Sequence, residues 1–566
     1  MIRTFAKHQI RRQVELSDCL WRFHSGDRRA RTAWQPVQVP GCWEQLPGLE
    51  NYRGVGTYER TFEVQGSAPA TLRLTCYGVS HTATVLVDGQ LAEQHYNAYT
   101  AFSVLLPQLA PGQHTLTIEA DNRFSPDSAL HVPNDCMTYG GIIRAVSLEQ
   151  LPQVYLRHLK TTPLWNPKGS WQLRVELALA NISTTAQRCM PEVQLPELAT
   201  GYAWPEQRLA AGEERQVQTV LDLPTAQAWS PGMPQLYRVV AQLSQNGQVT
   251  DDLIERTGLR EIRLDGSDLR LNGRKLRIKG FCRHEDHPSF GCALPFAAIQ
   301  QDLVLLKDLG ANSVRTSHYP NSELFLDLCD EQGILVWEEN HARGLTEEQM
   351  RNPNFEPQAE ACIREMIRVD YNHPCIYIWG ILNECASDTS YGRSCYARQY
   401  ELIGQLDRSR PRSSASCKFL TDRCLDLPEV VSFNIYPEWY NDQAAPAFLT
   451  ELYTWVQEET AGRGKPFLIT ETGAGAIYGY RTPSQAKWSE EYQAQALRDQ
   501  LAAVFNQPGC SGVYVWQFCD VRVSREWFSS RPRSMNNKGV VDEYRRPKLS
   551  YAVVQDCFRA LDNYRE

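Results

Sequence analysis

The sequence predicts a multidomain protein: an N-terminal β jelly roll, an immunoglobulin-like β-sandwich and a C-terminal (β/α)8 TIM barrel. Three observations predict it. A chain of 566 residues is too long for one ordinary domain and suggests two to four. The first part alternates short apolar–polar segments with turn signals, the pattern of β-sandwiches. The remainder repeats a rhythm of short apolar strand, polar loop and amphipathic helix, the pattern of a barrel.

Composition bounds the class. Hydrophobic residues make up 42% and charged residues 22%, which excludes disorder, collagen-like repeats and coiled coil. No apolar run approaches the ~18 residues that a membrane helix needs. The start, MIRTFAKHQIRRQVELSD, is charged throughout and has no apolar signal core, so a soluble, cytoplasmic protein is expected. The 17 cysteines are scattered without a CxxC pair, which fits reduced thiols and gives no zinc or redox motif. The net charge is −8 and no basic run stands out, so neither nucleic acid nor a membrane is an expected partner. Cations that bind an anionic ligand would have to be local ones.

Residues 1–151 carry the first domain. Thr71–Cys76, Ala83–Val87 and Thr115–Glu119 alternate as strands, separated by Asp88-Gly89 and Pro111-Gly112. Trp21, Trp34 and Trp43 are either core aromatics or sugar platforms. Residues 152–262 repeat the β texture in Trp171–Ala180 and Leu236–Leu243, as an immunoglobulin-like sandwich would. A hairpin through Leu271-Asn272-Gly273 leads into the barrel, residues 263–566. Its expected strands are Leu276–Cys282, Asn312–Arg315, Ile334–Glu338, Cys375–Leu382, Ser413–Cys417, Val430–Tyr436, Pro466–Thr470 and Gly512–Phe518. Helical patterns such as Ala297–Leu309 and Asn321–Gln332 lie between, giving eight expected strand–helix alternations.

In such barrels chemistry sits just past the C-terminal ends of the strands. Two acids occupy that position. The fourth strand runs into Asn383-Glu384, and the seventh runs directly into Glu471. A carboxylate after an apolar strand costs several kcal/mol unless paired or solvated, so two across one barrel mouth call for a function. Glycoside cleavage needs such a pair: one group protonates the leaving oxygen and the other faces the anomeric carbon. Asn383 is suited to hydrogen-bond a sugar hydroxyl beside them. A two-metal hydrolase would need more His/Asp ligands than these strands offer, so neither metal nor cofactor is expected.

The motifs Gly280-Phe281-Cys282-Arg283-His284-Glu285-Asp286, Arg315-Thr316-Ser317-His318-Tyr319-Pro320, Asn383-Glu384 and Ile469-Thr470-Glu471 together resemble glycoside hydrolase family 2, over essentially the whole chain. The resemblance implies a sugar-binding-like fold for the N-terminal jelly roll. It further implies a retaining exo-β-glycosidase with Glu384 as general acid/base and Glu471 as nucleophile, acting on a small glycoside or oligosaccharide. A homo-oligomer, dimer or tetramer, is implied too. Within the family the pattern is most similar to the β-hexuronidases, the β-glucuronidases and β-galacturonidases. On that likeness Asp135 reaches the sugar hydroxyls, and Tyr436, Tyr440 and Trp516 line the glycone, Trp516 either as a sugar contact or only as the floor. Asn536 and Lys538, in Asn536-Asn537-Lys538-Gly539, grip a uronate carboxylate. The pair Arg531 and Arg533 is placed to add a second positive charge. His318 either hydrogen-bonds the glycone or is a satisfied core histidine.

One departure concerns Glu338-Glu339-Asn340-His341-Ala342-Arg343-Gly344, where typical β-glucuronidases carry small or aliphatic residues. Arg343 either contacts the sugar, favouring galacturonide over glucuronide, or pairs with Glu338 or Glu339. Two other readings stay open: a neutral-sugar enzyme such as a β-galactosidase, and a non-catalytic carbohydrate-binding protein.

Overall fold

The computed structural model describes residues 1–17, 19–166 and 169–562. The first unit is two antiparallel sheets packed face to face. Val55–Val64, Gly112–Asp121 and Thr82–Val87 are central in the six-stranded sheet, and Ala70–Cys76 with Val146–Leu151 are central in the four-stranded one. Ala70–Cys76 buries every second residue, as a strand with one face on a core must. Phe23, Tyr58, Leu116 and Ile118 meet Leu72, Leu74 and Leu148 between the sheets. Trp21 and Trp43 are 1% exposed and belong to this core, whereas Trp34 stays at the surface against His24 and Arg22.

The second unit stacks a three-stranded sheet (Val154–Asn166, Ser170–Asn181, Glu214–Leu223) on a sheet built around Gln187–Leu195, Tyr237–Gln245 and Gln248–Thr257. Leu173, Val175 and Leu177 pack on Val193, Val239 and Ala241.

The third unit is the barrel. Its parallel strands are Ile278–Cys282, Ser313–Arg315, Leu335–Glu339, Ile376–Gly380, a fifth in two halves (Arg412–Ser413 and Ala415–Ser416), Val431–Asn434, Phe467–Thr472 and Cys510–Val515. The first strand pairs with both the second and the eighth. The halves of the fifth pair with the fourth and the sixth, so the ring closes. Strands covered on both faces read as continuous apolar runs, and Ile376–Gly380 is buried at every position. Inside the ring the hydroxyls of Tyr377 and Tyr514 lie 2.7 Å apart, and Ser313 bonds Tyr514 at 2.6 Å. Helix Phe355–Asp370 turns Phe355, Ala359, Ile363, Met366 and Ile367 inward, one face at helical spacing.

One of the eight expected alternations, the fifth, lacks its helix. No helix follows the fifth strand among the described residues; segment 417–430 is irregular. Side chains satisfy its backbone instead. Lys465 Nζ donates to the carbonyls of Leu425, Asp426 and Pro428 at 2.9, 2.8 and 2.7 Å, while Asp422 accepts from the hydroxyls of Ser387 and Ser416. Among the described residues no helix is long and apolar enough to cross a membrane.

The N-terminal residues strap the units together. Arg3 bonds Glu323 and Asp327 on a barrel helix. Arg11, its side chain fully buried, bonds Asp251 through two nitrogens, Glu149 at 2.9 Å and the Leu156 carbonyl at 2.6 Å, so one guanidinium ties both sandwiches. The first sandwich also docks on the barrel. The rings of Tyr99 and Tyr319 stack 3.9 Å apart, and Arg144 reaches Glu285 and the Pro320 carbonyl. Its long loop then runs to the barrel mouth, fixed by the Ser524 hydroxyl on the Cys136 carbonyl at 3.0 Å.

Removing one partner from a buried charge cluster leaves the others uncompensated. Arg11→Met is therefore expected to cost about 3–5 kcal/mol in urea unfolding; a loss below about 1 kcal/mol would show that the strap is dispensable.

Candidate active site

The pocket at the barrel mouth has a volume of about 280 Å3 and is walled by Glu384, Glu471, Asn383, Asn434, His318, Tyr436 and Trp516, with Asp135, Arg343, Tyr440 and Lys538 above them. Past Gly380 the fourth strand turns sharply. Leu382 (φ 48°) and Glu384 (φ 55°) both take the left-handed conformation. That backbone costs a non-glycine residue roughly 1–2 kcal/mol and persists only where neighbours enforce it. Here they do: Glu384 N–H donates to the Ala415 carbonyl at 2.8 Å, and the Asn383 carbonyl accepts from Gly344 at 2.8 Å. The turn sends the Glu384 carboxyl to the pocket, where Oε1 accepts from Asn434 Nδ2 at 2.8 Å.

Glu471 sits in the seventh strand, 4% exposed. Arg315 Nη1 donates to its Oε1 at 2.8 Å and the Tyr436 hydroxyl donates to Oε2 at 2.6 Å. Burial, then the negative charge of Glu384, push the Glu471 carboxyl up to about 7, against the pull of Arg315 and Tyr436. Arg315 is the hub beneath the pocket. It also donates to Glu339 through two nitrogens, at 2.9 and 3.0 Å, and to Asn383 Oδ1 at 2.7 Å. Asn383 Oδ1 takes a second bond from Asn434 at 3.0 Å, which orients both amides.

His318 Nδ1 lies 2.7 Å from Glu339 Oε1. Burial and the charges of Arg343 and Arg315 hold the ring well below its usual range, so it is neutral. A carboxylate can only accept, so Nδ1 carries the hydrogen. Nε2 keeps a free lone pair, 3.7 Å from Glu471 Oε1, ready to accept from a hydroxyl. Trp516 stacks on this ring at 5.2 Å between centroids and forms the floor.

The rim is charged. Asp135 pairs with Arg343, accepts from Arg531 at 3.3 Å and takes Asn536 Nδ2 at 3.0 Å. Burial would raise the Asp135 carboxyl, but Arg343, Lys538 and Arg531 overcome it and hold the group well below the usual carboxylate range. Lys538 is 4% exposed, yet Nζ donates to the Tyr440 hydroxyl at 2.8 Å and sits over the rings of Tyr436, Trp439 and Tyr440. No carboxylate among the described residues comes within ion-pair distance of it. Three cations thus face one acid.

Of the expected residues, the fold gathers Glu384, Glu471, Asp135, His318, Arg343, Asn383, Tyr436, Tyr440, Trp516 and Lys538 around the pocket, with Asn536 one step behind on Asp135. Arg533 is not brought there. Its guanidinium turns away to Glu543, because Arg533 and Ser534 both adopt left-handed backbone that reverses the chain. Arg531 takes the place beside Asp135 instead. The pairing of Arg343 with Glu338 or Glu339 is corrected too: Glu338 accepts from Asn321 N–H and Glu339 is occupied by Arg315 and Trp337. Arg283 bonds Asp302 and Asn321, and Asp286 accepts from Tyr139, a network outside the pocket. From sequence, Arg315 and Asn434 have no expected role at the pocket, and Glu339 none beyond pairing with Arg343. Each ends a barrel strand, so the strand-end rule applied to every polar residue, not only to acids, would have found them. Phe419 and Phe448 at the outer wall carry no such signal.

The model of the glycosyl hydrolases family 2 TIM barrel domain matches residues 262–563, and a second glycosyl hydrolases family 2 model matches residues 154–260. The chain is similar to a GH2 beta-galacturonidase from Eisenbergiella tayi crystallised with glycerol: 59% identity, TM-score 0.96, 100% of this chain and 99% of that one. A crystal structure of GH2 beta-galacturonidase from the same organism bound to galacturonate has TM-score 0.95, 59% identity and 99% coverage of both chains. A beta-glucuronidase of Paenibacillus borealis is 26% identical over 610 residues, 99% of each chain. A beta-galactosidase of Thermoanaerobacterium thermosulfurigenes is 28% identical over 493 residues, 84% of this chain but 64% of that protein. With its two β-rich units ahead of a barrel that carries paired carboxylates, this chain is a glycoside hydrolase and belongs to glycoside hydrolase family 2.

Proposed function

We propose that the protein is a retaining exo-β-hexuronidase that removes a terminal β-linked uronic acid, with galacturonide preferred over glucuronide. The observation that carries the substrate class is Lys538: a buried ammonium with no carboxylate partner, beside an acid already shared by two arginines. Keeping such a charge buried is costly unless a ligand anion completes it, and a C6 carboxylate is the anion that a sugar can bring. The likeness to galacturonidases at 59% identity supports the preference. So does Arg343, whose guanidinium stands at the pocket wall, in the stretch where typical β-glucuronidases carry small or aliphatic residues.

In the reaction so read, Glu471 attacks C1 while the glycosidic C1–O bond breaks and Glu384 gives its proton to the leaving oxygen. Water then attacks C1, passes a proton to Glu384 and releases Glu471 from the ester. The hydrogen bonds favour this division. Arg315 and Tyr436 donate to Glu471 and neither bonds Glu384, so these donors support a carboxylate at the nucleophile against the burial that favours its protonated form. His318 Nε2 and Asn383 are placed to bond sugar hydroxyls as charge develops at C1.

Rates on p-nitrophenyl β-galacturonide, β-glucuronide and β-galactoside test this reading. A uronide should be the best substrate, with Lys538→Ala losing about 2–4 kcal/mol in kcat/KM on it and Arg343→Ala losing more on galacturonide than on glucuronide. A preference for the galactoside with Lys538→Ala silent would sink it.

A second prediction follows from the raised Glu471 carboxyl. Its value is about 7 in the fold against the usual 4.5, so the fold prefers the protonated form. The stability it contributes is full below pH 4.5 and is lost as pH rises through 7. Glu471→Gln cannot ionise. It should melt close to wild type at pH 4.5 and be more stable by on the order of 2–3 kcal/mol at pH 8; a constant difference across that range would contradict the assignment.

A further inference from the structure

A second cavity, of about 520 Å3, lies where the N-terminal strap and the first sandwich dock on the barrel, nearly twice the volume of the catalytic pocket. Its walls are mostly apolar: Tyr77, Tyr99 and Ile143 from the sandwich, Leu294, Ile299 and Met366 from the barrel. Phe290 and Phe296, 38% and 40% exposed, flank its opening to solvent.

Two polar atoms of this lining are buried without a hydrogen-bond partner, Arg144 Nε and Asp370 Oδ1, and only the second is an acceptor. Asp370, the last residue of helix Phe355–Asp370, is 3% exposed, and its Oδ1 is buried without a hydrogen-bond partner. The other acids on the wall are all engaged: Glu285 with Arg144, Glu323 with Arg3, Glu365 with His95 and Thr100, and Glu15 with the N-terminal ammonium. Arg144 spends its terminal nitrogens on Glu285 and on the carbonyls of Tyr99 and Pro320, so it gives Asp370 no hydrogen bond. A buried carboxyl oxygen without a donor calls for a partner that the chain itself does not supply. Burial and then the charges of Glu338 and Glu323 disfavour a negative charge at Asp370, with Arg144 and Arg3 only partly opposing them.

We propose that this cavity binds a small apolar ammonium ion, an aryl- or alkylamine whose head donates to Asp370 and whose body lies among Tyr99, Ile143 and Met366. The geometry suits that class: a ring-sized apolar chamber, a mouth between two phenylalanines and one unsatisfied acceptor at depth. A carboxylate ligand would meet acids on several walls, and a neutral hydrocarbon would leave Asp370 unpartnered.

Isothermal titration of the full-length protein at pH 7.5 tests this with three matched probes, 2-phenylethylammonium, phenylacetate and toluene. Saturable binding of the ammonium is expected, at least tenfold tighter than either other probe and at least tenfold weaker in Asp370→Asn, whose melting temperature reports that the fold is intact. Should that variant fail to fold, Ala297→Trp, at the exposed rim, plugs the cavity and is expected to lose binding as well. Absence of binding overturns the proposal. So does equal binding by the variants, which would move the ammonium to the acid-lined catalytic pocket, and so does phenylacetate or toluene binding as tightly as the ammonium.

Discussion

The ion pair between Asp135 and Arg343 joins the loop of the first sandwich to the turn after the third barrel strand, and the mouth of the pocket is built on it. Without Asp135, the cations Arg343, Arg531 and Lys538 would face one another without the carboxylate they share, in a site where all three are largely withdrawn from water. Without Arg343, the carboxylate would lose its closest partner. Neither half of the molecule can close this site alone. That explains why so much of the chain fastens the first sandwich to the barrel: the stacked rings of Tyr99 and Tyr319, the Arg144–Glu285 pair and the strap of residues that carries Arg3 and Arg11.

Beneath that rim the same logic of compensated charge runs through the barrel. Arg315 touches Glu339, Glu471 and Asn383 at once, so its position sets that of both strand-end glutamate environments. Glu339 in turn fixes which nitrogen of His318 carries hydrogen. The left-handed backbone at Glu384 shows the same economy of placement: a strained residue held by bonds from the adjacent strand and loop, in the way preorganised sites keep their geometry before a ligand arrives.

Much of this was legible in the sequence, for identifiable reasons. Apolar runs bounded by turn residues mark strands, so seven of the eight barrel alternations read correctly. The missing helix after the fifth strand did not, because side chains from elsewhere, Lys465 above all, satisfy that segment's carbonyls. Glu384 and Glu471 stood out because an acid directly after an apolar strand has few structural excuses. The rim was harder. Asp135 and Arg343 lie far apart in sequence, and no local pattern announces that they meet. Arg531 and Arg533 are two residues apart in one loop, and only the left-handed backbone at Arg533 decides which of them faces Asp135.

The central claim is that the uncompensated positive charge around Lys538 is kept for a substrate carboxylate. The most direct measurement compares wild-type kcat/KM on p-nitrophenyl β-galacturonide with that on its C6 amide, which keeps shape and hydroxyls but removes the charge. The account predicts a loss on the order of 100-fold for the amide. Turnover of the two substrates at similar rates would contradict it.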